Sequence, residues 1–241
     1  MPNSSLRHCK KRIQRPVKQF FTGAALRRQG VYARFNKWRK AGSWKKAWLN
    51  VLRLNKHRLD CSSVQLDGRH TRATKVGAAG GYQGREKART TTALFLADKQ
   101  GQPLACATPQ AGNHPDSFRL ALLGEELCVL LEAAGIAVAG LFLNADSAFD
   151  ASELRQACVA RGIEANITRN RRAADWQTDD DTFFAPNFIA AAPWLNTPTS
   201  WLDSFKTLLV RYETSIGNGL TFHWLAFRVP ILRKINPKPT F

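Results

Sequence analysis

The sequence predicts an α/β domain preceded by a small basic helical segment, and three observations carry that expectation. Beyond residue 59, short apolar runs alternate with longer runs of helical period, the pattern of strands and helices packed in layers. Two of the apolar runs close on an acid: Val64-Gln65-Leu66 on Asp67, and Gly140-Leu141-Phe142-Leu143-Asn144-Ala145 on Asp146. Each carboxylate is therefore expected at or just past a strand end. The third observation is size, since 241 residues at 44% hydrophobic fill one sizeable core with room for one small module. The expected division is a basic helical segment over 1–58 and the α/β domain over 59–241.

Residues 1–28 are charged and aperiodic, and are expected to form a disordered or loosely packed arm. From Val31 the pattern turns helical: Val31, Phe35 and Trp38 fall at i, i+4 and i+7, with Arg34, Lys37, Arg39 and Lys40 on the other faces. Ala41-Gly42-Ser43 breaks that helix, Ser43 is placed to cap the next, and Trp44, Trp48, Val51 and Leu52 resume the stripe. Two helices about a short turn, with basic flanks that include Lys45 and Lys46, resemble a helix-turn-helix element; an ordinary helical hairpin packed on the main domain fits the same pattern. After Asp67 comes a stretch from Gly77 to Arg85, too rich in glycine for a regular element. Thr90 to Ala97, the turn Asp98-Lys99-Gln100-Gly101 and the run Pro103 to Thr108 read as a hairpin. A helix capped by Asp116 or Ser117 runs to about Ala134, Ala137 to Asn144 is a strand, Ala151 to Arg161 a helix capped by Asp150, and Ile163 to Thr168 a short strand. Three strands, helix, strand, helix, strand and a final helix carrying Lys206 and Arg211 is the RNase H-like order.

The formal charge of +18 is unevenly spread, because residues 1–60 hold 17 Lys and Arg against Asp60 alone, while the remainder holds 19 against 17 acids. A one-sided basic segment on a near-neutral body is the signature of a polyanion binder, since each neutralised phosphate releases a condensed counterion. Nucleic acid leads as the partner; composition alone also fits a solvated tail or an arm on anionic membrane. Cys9, Cys61, Cys106, Cys128 and Cys158 are scattered without metal-ligand spacing and read as reduced thiols of a cytosolic protein. No export signal and no membrane span are evident.

Five stretches give these features a common source: VQLDGRHTRA at 64–73, LADKQGQPL at 96–104, PQAGNHPD at 109–116, NADSAFD at 144–150 and WLDSFKTLLVRYE at 201–213. Together they resemble bacterial insertion-sequence transposases of the DDE class, in the broad group containing families four and five, over about residues 31–235. The resemblance implies an RNase H-like catalytic domain in a bacterial cytoplasmic, nucleoid-associated protein. It implies binding of double-stranded DNA, both element terminal repeats and target, by a homo-oligomer in the active complex. It also implies a site of two aspartates and one glutamate holding two Mg²⁺ (or Mn²⁺) ions for in-line attack on phosphodiesters. Hard, octahedral Mg²⁺ prefers carboxylate oxygens, and paired ions stabilise both the entering and the leaving oxygen. Asp67 stands as the shared first ligand and Asp146 as the second. Arg34, Lys37, Arg39, Lys40, Lys45, Lys46, Lys206 and Arg211 are the candidate phosphate contacts. His70 is expected to bond the backbone, and His114 and Asp116 to serve as turn and helix cap.

The departure comes at the third acid. Ahead of Trp201, members of the family carry a basic segment leading to Val-Val-Glu-His-Thr-Asn; here residues 185–200 read APNFIAAAPWLNTPTS and hold no charge. Plausible synonymous codons for this stretch, read from the third base of the Ala185 codon, spell Pro-Glu-Leu-Tyr-Arg-Arg-Arg-Pro-Val-Val-Glu-His-Thr-Asn. The family pattern returns in the shifted frame. A frameshift entering near Phe184 or Ala185 and restored near Ser200, by mutation or sequencing error, would leave Asn196 near the place of the catalytic glutamate and replace an arginine triplet with Ala190-Ala191-Ala192. An amide has no charge to offset two dications, so cleavage is expected to fall by orders of magnitude. Three functions follow: an active transposase, a catalytically inactive remnant that binds DNA, and, as the outside case, a basic RNA-binding protein.

Overall fold

The strand that begins at Val64 does not stop at Asp67. In the computed structural model, which describes residues 28–74, 77–115, 117–170, 202 and 204–235, β1 runs Val64–Ala73 and the sheet is built around it. It pairs antiparallel with β3 (Ala88–Asp98) in unbroken register from Val64↔Asp98 to Arg72↔Thr90. Along the outer edge of β3 lie β4 (Pro103–Cys106), β5 (Gln110–Ala111) and β2 (Gly81–Gln83), all antiparallel to it. On the other edge of β1, β6 (Phe142–Ala145) pairs in parallel at Val64↔Leu143 and Gln65↔Asn144, and β7 (Glu164–Ile167) pairs in parallel with β6. The order β4–β3–β1–β6–β7, antiparallel in its first two pairings and parallel in the rest, is the RNase H-like arrangement expected from the sequence.

A last short strand, β8 (Val210–Arg211), joins β1 in parallel at Arg72 and Ala73. Residues 66–71 of that edge, between β6 and β8, have no strand partner among the described residues. Asp67 thus lies inside its own strand, but at the level where the parallel pairing ends. The strand-end position expected for it is replaced by a mid-strand one, because the ladder to β3 carries β1 on to Arg72.

Side chains alternate across the sheet. Val64, Leu66, Leu96 and Leu143 face Leu127, Leu131, Leu154 and Cys158 of α3 (Leu120–Ala133) and α4 (Ser152–Ala160). The opposite face carries Phe95, whose ring lies 5.2 Å from His223 of α6 (Ile216–Ala226) and 6.1 Å from Phe227. Phe227 also meets Trp48, at 5.3 Å, and it precedes α7 (Arg228–Ile235), which buries Ile231. Trp48 belongs to α2 (Ser43–Asn55), is fully buried, and donates its indole N–H to the Leu104 carbonyl at 3.0 Å. Helices on both faces of a mixed sheet make the core three-layered.

Contacts divide the chain between Gly42 and Ser43, and α2 falls in the same compact unit as the sheet. Gly42, at φ +67°, supplies the break ahead of it. The other unit contains α1 (Arg28–Lys40), on which Val31 and Trp38 of the expected apolar stripe are about half exposed. The helix expected from Asp116 or Ser117 begins at Leu120, because Arg119 adopts a left-handed conformation at φ +55°; Asp116 lies outside the described residues. The strand expected from Ala137 begins at Phe142, after a turn in which Leu141 N–H bonds Val138. Cys61, Cys106, Cys128 and Cys158 are free thiols. Among the described residues no helix is long and apolar enough to cross a membrane.

Candidate active site

The parallel register fixes the relation between the two singled-out acids. Gln65 pairs with Asn144, and Asp67 and Asp146 each lie two residues further along, so the two stand at the same level of neighbouring strands. Residues two apart along a strand share a face, so the register continued past its last pair would carry both acids to the face of Gln65 and Asn144. Asp146 is the residue just past β6, as expected for it. It is exposed, and its Oδ1 accepts from Ala148 N–H at 2.8 Å, capping a short 3-10 turn over Ser147–Phe149. Asp67 is half-buried and its Oδ1 accepts from Gly68 N–H at 2.8 Å. A turn aspartate in any protein makes the first of these bonds; the matched register is what a purely structural role leaves unexplained.

Beneath the pair, on the same face and one step back along each strand, runs a buried rung of polar side chains. Asn166 of β7 donates to Asn144 Oδ1 at 2.7 Å, and Asn144 donates to Ser63 Oγ at 2.6 Å. Gln65 Nε2 approaches the same hydroxyl at 3.4 Å. Asn144 is 1% exposed and Asn166 0%. Buried amides that lose water must be matched by such bonds, and this set ties β1, β6 and β7 together directly under the carboxylates. Sequence reading passed over it, although asparagine within two strand-like runs, Phe142–Ala145 and Glu164–Ile167, was the available signal.

Beyond the pair on the same face, Arg69 follows Asp67 by two residues, close enough to His223 to disfavour its protonation. Burial is the larger cause, and together they bring the His223 pKa down from 6.5 to about 4, against the opposing bond from Nδ1 to the Gly219 carbonyl.

Among the described residues no group of three His, Cys, Asp or Glu is arranged to hold a metal ion. Asp67 and Asp146 are the two described members of the expected carboxylate set; Asn196, expected near the place of the third, lies with the whole 185–200 segment outside the described residues.

No family model matches this sequence, and no curated protein matches it. Solved structures do. The chain is similar to the Mos1 transposase paired-end complex with left transposon end, at 13% identity and TM-score 0.34 over 77% of this chain and 59% of that one. It is similar to the catalytic domain of Mos1 mariner transposase at 12% identity and TM-score 0.35, over 76% of this chain and 87% of that one. A pre-cleavage Mos1 transpososome aligns at 12% identity and TM-score 0.34, over 84% and 64% respectively. The chain thus spans 59% of the length of the first of these. The fold assignment rests on the strand order and register given above.

The remaining site candidates are placed as follows. Arg34, Lys37 and Lys40 are exposed on α1, Arg39 is half-buried there, and Lys45 and Lys46 are exposed on α2. Lys206 is exposed on a four-residue helix, α5 (Lys206–Leu209). Arg211 is not on that helix. It lies in β8, 6% exposed, with Nη1 donating to the Ala78 carbonyl at 2.8 Å, so it presents no solvated face to a phosphate. Asp150 does not cap α4; it pairs with Arg155 at 2.8 Å and accepts from Asn170 N–H. His70 Nδ1 lies 2.8 Å from Thr92 Oγ1 across the β1–β3 ladder. His114 stacks on Phe118 in the turn ahead of α3.

Proposed function

We propose that this chain is a DNA transposase of the insertion-sequence DDE type, built for metal-dependent hydrolysis and strand transfer at element ends. The observation that supports the reading is the parallel register Gln65↔Asn144, two residues ahead of Asp67 on one strand and of Asp146 on the other. The sequence stretches quoted above, and the basic charge, support it. Asp67 and Asp146 would hold Mg²⁺ or Mn²⁺ through hard carboxylate oxygens, and the ion when bound supplies the positive charge that activates water or a 3′-hydroxyl toward phosphodiester. The protein's own part is positional. The amide rung ties β6 and β7 to Ser63, the residue that leads into β1, and the Ala148 bond aims Asp146. Duplex DNA and a homo-oligomeric active complex belong to the same proposal.

A second reading is favoured by one observation: residues 185–200, where the third acid is expected, hold no charge. On that reading the chain binds DNA and does not cut it. Two proteins decide between them: the chain as given, and one with the frame across 185–200 restored to Glu-His-Thr-Asn. The restored protein is expected to cleave plasmid DNA with Mg²⁺ or Mn²⁺ and to lose that activity on Asp67→Asn. The chain as given is expected to fall short by orders of magnitude. A restored protein that is inert, or one that keeps cleaving after Asp67→Asn, would refute the carboxylate-pair reading.

A further inference from the structure

We infer that the β2–β3 hairpin is a contact surface for duplex DNA lying beyond the carboxylate pair; the inference rests on the DNA reading above. Its first support is the composition of the hairpin. Between Gly81–Gln83 and Ala88–Asp98 the turn Gly84–Lys87 holds Arg85, Glu86 and Lys87, and Tyr82 sits opposite Arg89 in register. Arg85, Lys87 and Arg89 are exposed, and none has a carboxylate within ion-pair range among the described residues. Glu86, the one acid, is taken by Arg72 at 3.6 Å. Tyr82 is 63% exposed, a large ring open to solvent among the described residues.

The second support is direction. Phe95 pairs with Asp67, and Arg89 lies six residues, an even number, before Phe95 along β3. Alternation therefore sends Arg89, and Tyr82 across from it, to the face that carries Asp67 and Asp146. Thr91, between them on that face, donates to the Ala79 carbonyl at 3.0 Å, so the glycine-rich segment crosses there and the hairpin emerges beyond it. At ~3.3 Å per strand residue the Arg89 row stands about 20 Å from Asp67. With each strand of DNA rising ~3.4 Å per phosphate, that is about six base pairs from a phosphodiester held at the carboxylates.

The third support is rigidity at the base of the hairpin. A Cβ on Gly81 would lie 1.9 Å from Asn113 Oδ1 and 2.7 Å from Asn113 N, and one on Gly112 would lie 1.9 Å from Thr90 Oγ1. Only glycines allow these approaches, and they clamp β2, β3 and the segment after β5 together. A two-stranded ribbon of this kind fits a DNA groove, with Arg85, Lys87 and Arg89 on backbone phosphates and the Tyr82 ring against the groove wall.

The test uses the full chain and a mixed-sequence DNA duplex long enough to span the face, with affinity measured by fluorescence anisotropy across a salt series. The variant Arg85→Gln/Lys87→Gln/Arg89→Gln is expected to lower the slope of log K against log salt by about 2 to 3, since each phosphate contact contributes ~0.9. Lys99→Gln, at the far end of β3, is the control and should leave the slope unchanged. Duplex DNA carrying 5-iododeoxyuridine should cross-link to Tyr82 of the unaltered chain, a readout that does not depend on a variant folding. An unchanged slope in the triple variant, or cross-links that avoid Tyr82, would overturn the hairpin assignment while leaving DNA binding intact. An unaltered chain with no salt-dependent duplex affinity, or with preference for RNA, would overturn the DNA reading itself.

Discussion

Asp67 keeps its position because its own strand continues past it, paired to β3, while the neighbouring β6 ends at Ala145. His223, packed on Phe95 of the same face, is the residue whose protonation the fold resists. An unfolded imidazole binds its proton near 6.5 and this one near 4. A histidine whose pKa is depressed by folding contributes stability that is fully present above about 6.5 and is lost as pH falls toward 4. At ~1.4 kcal/mol per unit the loss is on the order of 3 kcal/mol. Urea unfolding at pH 7 and at pH 4.5 should show most of that difference in the unaltered chain and much less of it in His223→Gln. An equal pH dependence in both proteins would place the titration elsewhere.

The amide rung and the turn after β6 act on the site through whole strands. Removing Asn144 leaves the Asn166 amide and the Ser63 hydroxyl without their shared partner in a buried place, and each such loss costs about 1–3 kcal/mol. Asn144→Ala is therefore expected to lower unfolding stability by roughly 2–4 kcal/mol. A thermal or denaturant melt that barely moves would show that the rung is not holding β1 and β6 in register. Gly68 couples the two strands from the other side: a Cβ there would stand 3.2 Å from the Phe149 ring, which belongs to the turn that Asp146 caps. Gly68→Val should push that turn away and cost about 1–3 kcal/mol. It should also weaken metal binding although it removes no ligand. Affinity equal to that of the parent protein would contradict the coupling.

For the molecule as a whole, the boundary after Gly42 makes a direct prediction about truncation. A chain beginning at Ser43 retains Trp48 and Leu52, both fully buried, and should unfold cooperatively. A chain beginning at residue 59 loses them together with the Trp48 bond to Leu104, and should not, since a buried tryptophan alone contributes ~3–5 kcal/mol. Circular dichroism melts of the two fragments distinguish the cases. The fold was legible in the order of apolar runs and glycine turns, because β3, β4 and α4 are specified by their own residues. Where reading failed, a distant segment decided. Arg211 becomes a strand residue only by pairing with Ala73, and β1 outruns its apolar stretch because β3 supports it to Arg72. The polar rung joins residues 22 and 81 positions apart, which no local pattern reveals. The carboxylate pair was visible as two acids, and its meaning came from the register that aligns them. Electron paramagnetic resonance titration of the purified chain with Mn²⁺ tests that pairing most directly. Binding that is lost equally in Asp67→Asn, in Asp146→Asn and in the double variant is the expected result; either single variant retaining the affinity of the parent would contradict a shared site.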